Sequence, residues 1–341
     1  MNIYLDNGYL NMRRFLEHPA PFVFIVSARG TGKTYGTLDA MDKTECKSLF
    51  LRRIESQLKT VITAEGNPFK TLNTDKGSNY KIEKARGMTM GNLYDAETGT
   101  VFGYASALSI FKNIRGIDFS NIDLTFYDEF IGEAHDKPIR GEGDAFYNLY
   151  ESINRNRELK GRPPLKVICA ANSNRLDNPL FMDLGLVDAA LKLKKSNEET
   201  AYMPERGVLL VMPKHSPISQ KKAETALYKL ARGSKFEQMA IKNEFAYDDL
   251  SAVGVQPIKE YKPLCVINSF TIMEHKSDER LYIINRQFED PSLPHFNTDS
   301  KDGLAAFKAA FGLWIWNAIL EGTVTFQSYA IKSEVISLFK A

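Results

Sequence analysis

The first informative pattern along the chain is an unbroken apolar run. Phe22-Val23-Phe24-Ile25-Val26 shows no polar alternation, which predicts a strand buried on both faces of a parallel sheet. Comparable runs at 48–51, 122–127, 165–171 and 207–212 predict further strands. Helical spacing lies between them. A helix is expected from residue 33 to about 41, and Phe146, Leu149, Tyr150 and Ile153 mark one face of another over 144–157. Gly161-Arg162-Pro163-Pro164 ends that helix. Strands alternating with helices predict an α/β sheet covered on both sides.

The pattern loosens elsewhere. Leu10, Met12, Phe15 and Leu16 suit a short helix packed on the sheet or at a subunit contact. Short strand-like pieces at 80–82, 88–90, 100–104 and 105–110 predict edge strands and excursions. Residues 217–249 read as a lysine-rich helical linker with Ala223, Ala226, Leu227 and Leu230 on one face. Paired strands at 263–273 and 281–284, a helix over 304–320, a strand at 324–326 and a helix over 329–339 predict a small α+β domain. The domains expected are 1–213, 214–250 and 251–341.

Composition changes little. The 341 residues are 43% hydrophobic and 25% charged, ordinary for a globular protein, and the net charge of +2 leaves the class of partner open. Cys46, Cys169 and Cys265 form no C-x-x-C pair, so neither a disulfide framework nor a zinc site is expected, and the five histidines lack ligand spacing. No secretory signal is read at the N-terminus. The run 304–320 contains Lys308 and Asn317 and is short for a membrane span, so a core helix is expected and no membrane contact.

Chemistry enters directly after the first strand. Ser27-Ala28-Arg29-Gly30-Thr31-Gly32-Lys33-Thr34 carries the second half of the phosphate-loop pattern G-x-x-x-x-G-K-[ST], with Ser27 where the first glycine would stand. Gly30 and Gly32 let backbone N–H groups converge on phosphate oxygens, and the helix that follows adds the positive end of its dipole. Lys33 would reach the β and γ phosphates of ATP, and the Thr34 hydroxyl would ligate Mg²⁺. Further on, Ile122 to Tyr127 lead into Asp128-Glu129. In P-loop enzymes the first acid holds Mg²⁺, usually through water, and a neighbouring carboxylate polarises the attacking water. Asp128 suits the first role and Glu129 the second. Asn172, ending the strand after residue 165, either senses the γ-phosphate or opens a turn with Ser173 and Asn174. Arg52-Arg53 at a strand's carboxyl end either approach the ligand or remain a solvated pair. Arginines in Asn154-Arg155-Asn156-Arg157 either complement the helix dipole or present a guanidinium to a neighbouring subunit's γ-phosphate.

Taken together, the phosphate loop, Leu51-Arg52-Arg53, Phe126-Tyr127-Asp128-Glu129-Phe130-Ile131, Arg155-Asn156-Arg157-Glu158 and Ile168-Cys169-Ala170-Ala171-Asn172 resemble the DNA-packaging ATPases of small podovirus-type phages with terminal-protein-linked genomes. Arg115-Gly116-Ile117-Asp118 also resembles the large-terminase ATPases. The resemblance implies an ASCE-type P-loop NTPase with a mostly parallel sheet and an RNase H-like C-terminal domain. It further implies a ring, expected to be a pentamer, on the portal of a procapsid in the host cytoplasm, driving double-stranded DNA inward with ATP and Mg²⁺ and leaving room for a packaging RNA. It assigns Lys33, Thr34 and Asp128 to nucleotide and metal, Glu129 to catalysis, Arg155 to a finger acting across subunits, and Arg29 to coupling. Unit-length genomes need no cutting, so a nuclease-like fold without nuclease activity is expected. Lys112 and Arg115 are candidate DNA-contacting residues, or surface charges without a role. The competing functions are another P-loop enzyme, helicase-like or kinase, and a nucleotide-gated portal assembly factor.

Overall fold

The computed structural model describes every residue except 1, 43–46, 88, 115, 134–135, 137–138, 140, 173–174, 215, 245–247 and 341. Expectations placed on Cys46, Met88, Arg115, His135, Ser173, Asn174 and His215 lie outside the described residues. The chain divides into two compact units, Met1–Tyr247 and Asp248–Ala341.

The first unit is built on nine strands: β1 (Phe22–Ser27), β2 (Lys47–Arg52), β3 (Tyr80–Lys84), β4 (Gly91–Asp95), β5 (Thr100–Ala107), β6 (Ile122–Asp128), β7 (Lys166–Asn172), β8 (Thr200–Met203) and β9 (Val208–Val211). Their order across the sheet is β3-β4-β5-β2-β6-β7-β1-β9-β8. The block from β5 to β9 is parallel, because each strand is reached by a crossover. The edges β3-β4-β5 and β9-β8 are antiparallel. Strand β7 lies between β1 and β6. Register then matters: Ser27 pairs with Asn172 and Asp128 with Ala170, so β1, β7 and β6 end almost level at one edge. Burial explains the unbroken apolar runs, since Val23 to Ser27, Leu124 to Asp128 and Val167 to Ala171 are all buried.

Several local expectations change. Strand β5 runs through Ala107 and gives way to a 3₁₀ turn, Leu108–Ile114, in place of a separate strand at 105–110. The strand expected near 88–90 begins instead at Gly91. Edge strand β8 has no counterpart in the sequence expectations, because four residues, three half-buried and Tyr202 exposed, carry almost no periodic signal. The lysine-rich segment forms three short helices, Pro217–Ala223, Ala226–Leu230 and Lys235–Ala240, within the first unit. Leu227 and Leu230 are exposed, so the apolar face inferred from their spacing is not the one that packs.

The second unit holds β10 (Tyr261–Ile267), β11 (Phe270–His275), β12 (Leu281–Ile284), β13 (His295–Phe296) and β14 (Val324–Phe326), ordered β13-β10-β11-β12-β14. The apolar stretch 263–273 is thus two strands of a hairpin, broken where Asn268 adopts φ +45°. Cys265, Ile267, Ile272, Ile283, Phe307, Ile315 and Val335 form the core. The helical run Lys301–Glu321 contains a π segment, Lys308–Gly312. By length and composition it could cross a membrane. It is not the enclosed core helix expected, because Phe307, Ile315 and Ala318 are buried while Leu313 and Leu320 are exposed.

Candidate functional site

The level ends of β1, β7 and β6 bring the predicted residues together. Gly30 and Gly32 adopt φ +70° and +88°, a region that disfavours side chains. Gly32 is needed for space as well: a Cβ there would lie 3.0 Å from the Tyr9 ring. Helix Lys33–Asp42 starts at once, directing its first N–H groups toward the loop.

Lys33 is buried and donates to Ser27 O (3.2 Å), Ser27 Oγ (3.0 Å), Ala28 O (3.0 Å) and Asn172 Oδ1 (3.3 Å). Ser27 Oγ also lies 2.7 Å from Thr31 Oγ1, so the residue that departs from the usual motif supplies a hydroxyl to the lysine. Burial lowers the Lys33 pKa to about 7, against the pull of Asp128 and Glu129.

Opposite stands the acid pair. Asp128 is buried and accepts from Thr34 Oγ1 at 3.1 Å. Burial raises its pKa, and Arg52 is the largest opposing influence. Glu129 is exposed and holds φ +55°, a strained backbone that turns its carboxylate out of the strand. Arg52 pins both acids, through Nη1 to Asp128 Oδ2 at 2.9 Å and through Nη2 to Glu129 Oε2. Register explains this contact: Leu51 pairs with Tyr127, so Arg52 stands level with Asp128. Arg53 instead points into the core, where it pairs with buried Glu142 at 2.8 Å. The adjacent arginines are therefore not a solvated pair.

A cleft of about 720 Å³ joins these groups. Arg29, Gly30, Thr31, Gly32, Lys33, Thr34, Asp128, Glu129 and Asn172 line it. So do Leu5, Asn7 and Tyr9, Tyr35 and Asp39 on the helix after the loop, and Thr71 and Asp75. The N-terminal lining carries no motif. Its place depends on contacts such as Leu10 N donating to Thr31 O at 3.0 Å. Arg29 turns its side chain to Glu133 at 2.7 Å.

The paired oxygens of Thr34 and Asp128, with Glu129 beside them, are the hard donor set Mg²⁺ prefers, and the glycine-rich loop fits a triphosphate. These residues fit both groups.

Arg155 lies away from this cleft. It follows helix Glu142–Asn154 at φ +42° and bonds Asp118 Oδ1 (3.2 Å), Ile117 O (3.2 Å) and Ser152 O (3.1 Å). Its neighbour Arg157 is buried against Asp123 and Ile122 O. Lys112 is exposed in the 3₁₀ turn after β5, and Arg115 lies outside the described residues.

The family described as Podovirus DNA encapsidation protein (Gp16) matches residues 5–306. The DNA packaging protein of Bacillus phage phi29 is 23% identical over 348 residues, covering 97% of each chain. That of Bacillus phage B103 is 27% identical over 234 residues, 66% of this chain and 64% of that protein. Among solved structures, a chain of the bacteriophage phi29 viral genome packaging motor assembly superposes with TM-score 0.66 at 21% identity, covering 97% of this chain and 98% of that one. The phi28 gp11 DNA packaging motor gives TM-score 0.60 at 17% identity, with 95% of each covered. The chain belongs to the podovirus DNA encapsidation protein (Gp16) family.

Proposed function

We propose that this chain is the ATP-driven translocase of a phage packaging motor. It works in the infected cell as a homomeric ring, a pentamer on the portal of a procapsid, and moves double-stranded DNA inward. Residues 1–213 form the ATPase, 214–250 the linker, and 251–341 a nuclease-like domain that does not cut. One observation carries the reading: β7 spaces the Lys33-Thr34 loop from the Asp128-Glu129 pair across a single cleft. The family match and the packaging names of the relatives support DNA as the cargo.

Lys33 neutralises phosphate charge, and Gly30 to Gly32 offer backbone N–H groups. Thr34 and Asp128 would hold Mg²⁺, which when bound supplies further charge to the phosphates. Glu129 orients the attacking water and accepts its proton, which requires its carboxylate to leave Arg52. Asn172 stands between loop and acids, bonded to Lys33, where it can register the γ-phosphate. Arg155, remote from the cleft of its own chain, acts on the nucleotide of a neighbour. Arg29 couples the loop to Glu133. Phosphate-directed contacts by Lys112 and Arg115 suit a motor indifferent to sequence. In the second unit, Glu274 pairs with Lys262 at 3.2 Å and Asp278 with Arg280 at 2.9 Å. Those acids are committed to ion pairs, which supports the non-cutting reading.

The test is ATP hydrolysis with and without double-stranded DNA, comparing the native chain with Glu129→Gln. DNA should stimulate the native protein, and the variant should lose at least about 10²-fold in turnover while still binding nucleotide. Phosphate transfer to an acceptor other than water, or turnover indifferent to DNA, overturns the proposal.

A further inference from the structure

Lys222 belongs to no motif, yet it touches the phosphate loop. It sits on helix Pro217–Ala223, in the lysine-rich segment after the last strand of the first sheet. Its ammonium donates to Arg29 O at 2.8 Å and stands 5.3 Å from the centroid of the Tyr228 ring. A Cβ added to Gly30 would lie 2.4 Å from it. Other contacts hold the same segment in place: a Cβ on Gly8 would lie 3.0 Å from Pro217, and Asn243 Nδ2 donates to Val26 O at 3.3 Å, one residue before the loop.

The carbonyl and N–H of a trans peptide point in opposite directions. A lysine that holds the Arg29 carbonyl therefore aims the Gly30 N–H the other way. Gly30 lines the nucleotide cleft, and glycine at φ +70° leaves this peptide free to adopt other orientations unless something selects one. We infer that Lys222 is a positioning residue, which sets the Arg29-Gly30 peptide so that its N–H serves a nucleotide phosphate and so couples nucleotide occupancy to residues 216–244. The coupling is reciprocal: a bound triphosphate that fixes the peptide also fixes the helix carrying Lys222. This inference rests on the ATP reading of the cleft.

A fluorescent, non-hydrolysable ATP analogue is titrated into the native chain, Lys222→Met and Lys222→Arg, with amide hydrogen exchange followed over residues 217–230. Lys222→Met should bind about tenfold more weakly, the scale of one hydrogen bond to a charged group, and Lys222→Arg should regain most of the loss. In steady state the Met variant should raise KM and leave kcat unchanged, the mark of binding lost equally in the ground and transition states. Nucleotide should slow exchange over 217–230 in the native and Arg chains but not in the Met chain. Binding by Lys222→Met within about twofold of native, or exchange over 217–230 that ignores nucleotide in the native chain, overturns the inference while leaving the ATP reading intact. A native chain that binds no nucleotide overturns both. Should Lys222→Met fail to fold, Lys222→Gln is held to the same criteria.

Discussion

The two units handle charge in opposite ways. In the first, Lys33, Arg53, Asp128, Glu142 and Arg157 are all buried, most of them near the carboxyl ends of parallel strands or in the core beneath. In the second, the strand-end charges Lys262, Glu274, Asp278 and Arg280 pair across or beside one hairpin at the surface, and Lys332, held by Asp249 at 2.8 Å, is the buried exception. Removing a charge from water is unfavourable unless partners surround it. The first unit accepts that cost in the cleft, at Lys33 and Asp128, and also in the core, where Arg53 pairs with Glu142 and Arg157 with Asp123. The second places charge where it is solvated and nearly neutral in energy.

Four substitutions break or sharpen this contrast. The largest effect is expected from Arg53→Met, which strands Glu142 without its buried partner. It should lower stability by about 3–5 kcal/mol in urea denaturation. The matching surface change, Arg280→Ala, should leave the midpoint where it is. Equal losses from both would erase the distinction between the units.

Lys33→Met comes next. Burial sets the folded-state pKa of Lys33 at about 7, well below its ordinary 10.5. The charged side chain therefore penalises the fold in full below about pH 7, and the penalty fades as pH rises toward the unfolded value. Without nucleotide, Lys33→Met should raise the melting midpoint near pH 6, by about 2–4 °C for each kcal/mol relieved, with the gain shrinking by about pH 10. The same variant should lose nucleotide binding. A gain independent of pH would mean that packing, not charge, is responsible.

The smallest effect is expected from Arg52→Met. Burial already raises the Asp128 pKa, and Arg52 is the main influence holding it down. Removing the guanidinium should move the acid limb of the ATP-turnover profile to higher pH. Some stability should be lost too, since the Arg52 side chain is 12% exposed and Asp128 is buried, but less than for Arg53→Met because Asp128, its pKa already raised by burial, can take up a proton. An unmoved acid limb would show that Asp128 does not feel Arg52.

The parts of the site legible in the sequence share a physical cause. A strand buried on both faces leaves an unbroken apolar run, and a loop that brings its backbone close to phosphate requires glycine. Both signals lie within a few residues, so the loop at 27–34 and the Asp128-Glu129 pair could be located directly, whereas Asn172 read equally well as a γ-phosphate contact or a turn residue. Arg52 was visible as a charge at a strand end, but its grip on both acids depends on β2 lying beside β6 in a given register. Asp39 and Asp75 carry no motif, and neither does Tyr9 over Gly32. In the second unit, a single apolar stretch concealed a hairpin, because Asn268 is the only polar residue that marks the turn before Ser269.

By itself, then, the amino-acid sequence determined which strands are buried, where a phosphate loop can form and which acids end a later strand, because these follow from local periodicity and residue type. Only the tertiary structure decided that β7 separates loop from acids, that Arg52 spans both carboxylates, and that Lys222 reaches back to the Arg29 carbonyl. These contacts join residues 76, 77 and 193 positions apart. No local pattern encodes such pairings, since they depend on strand order and register across the whole sheet.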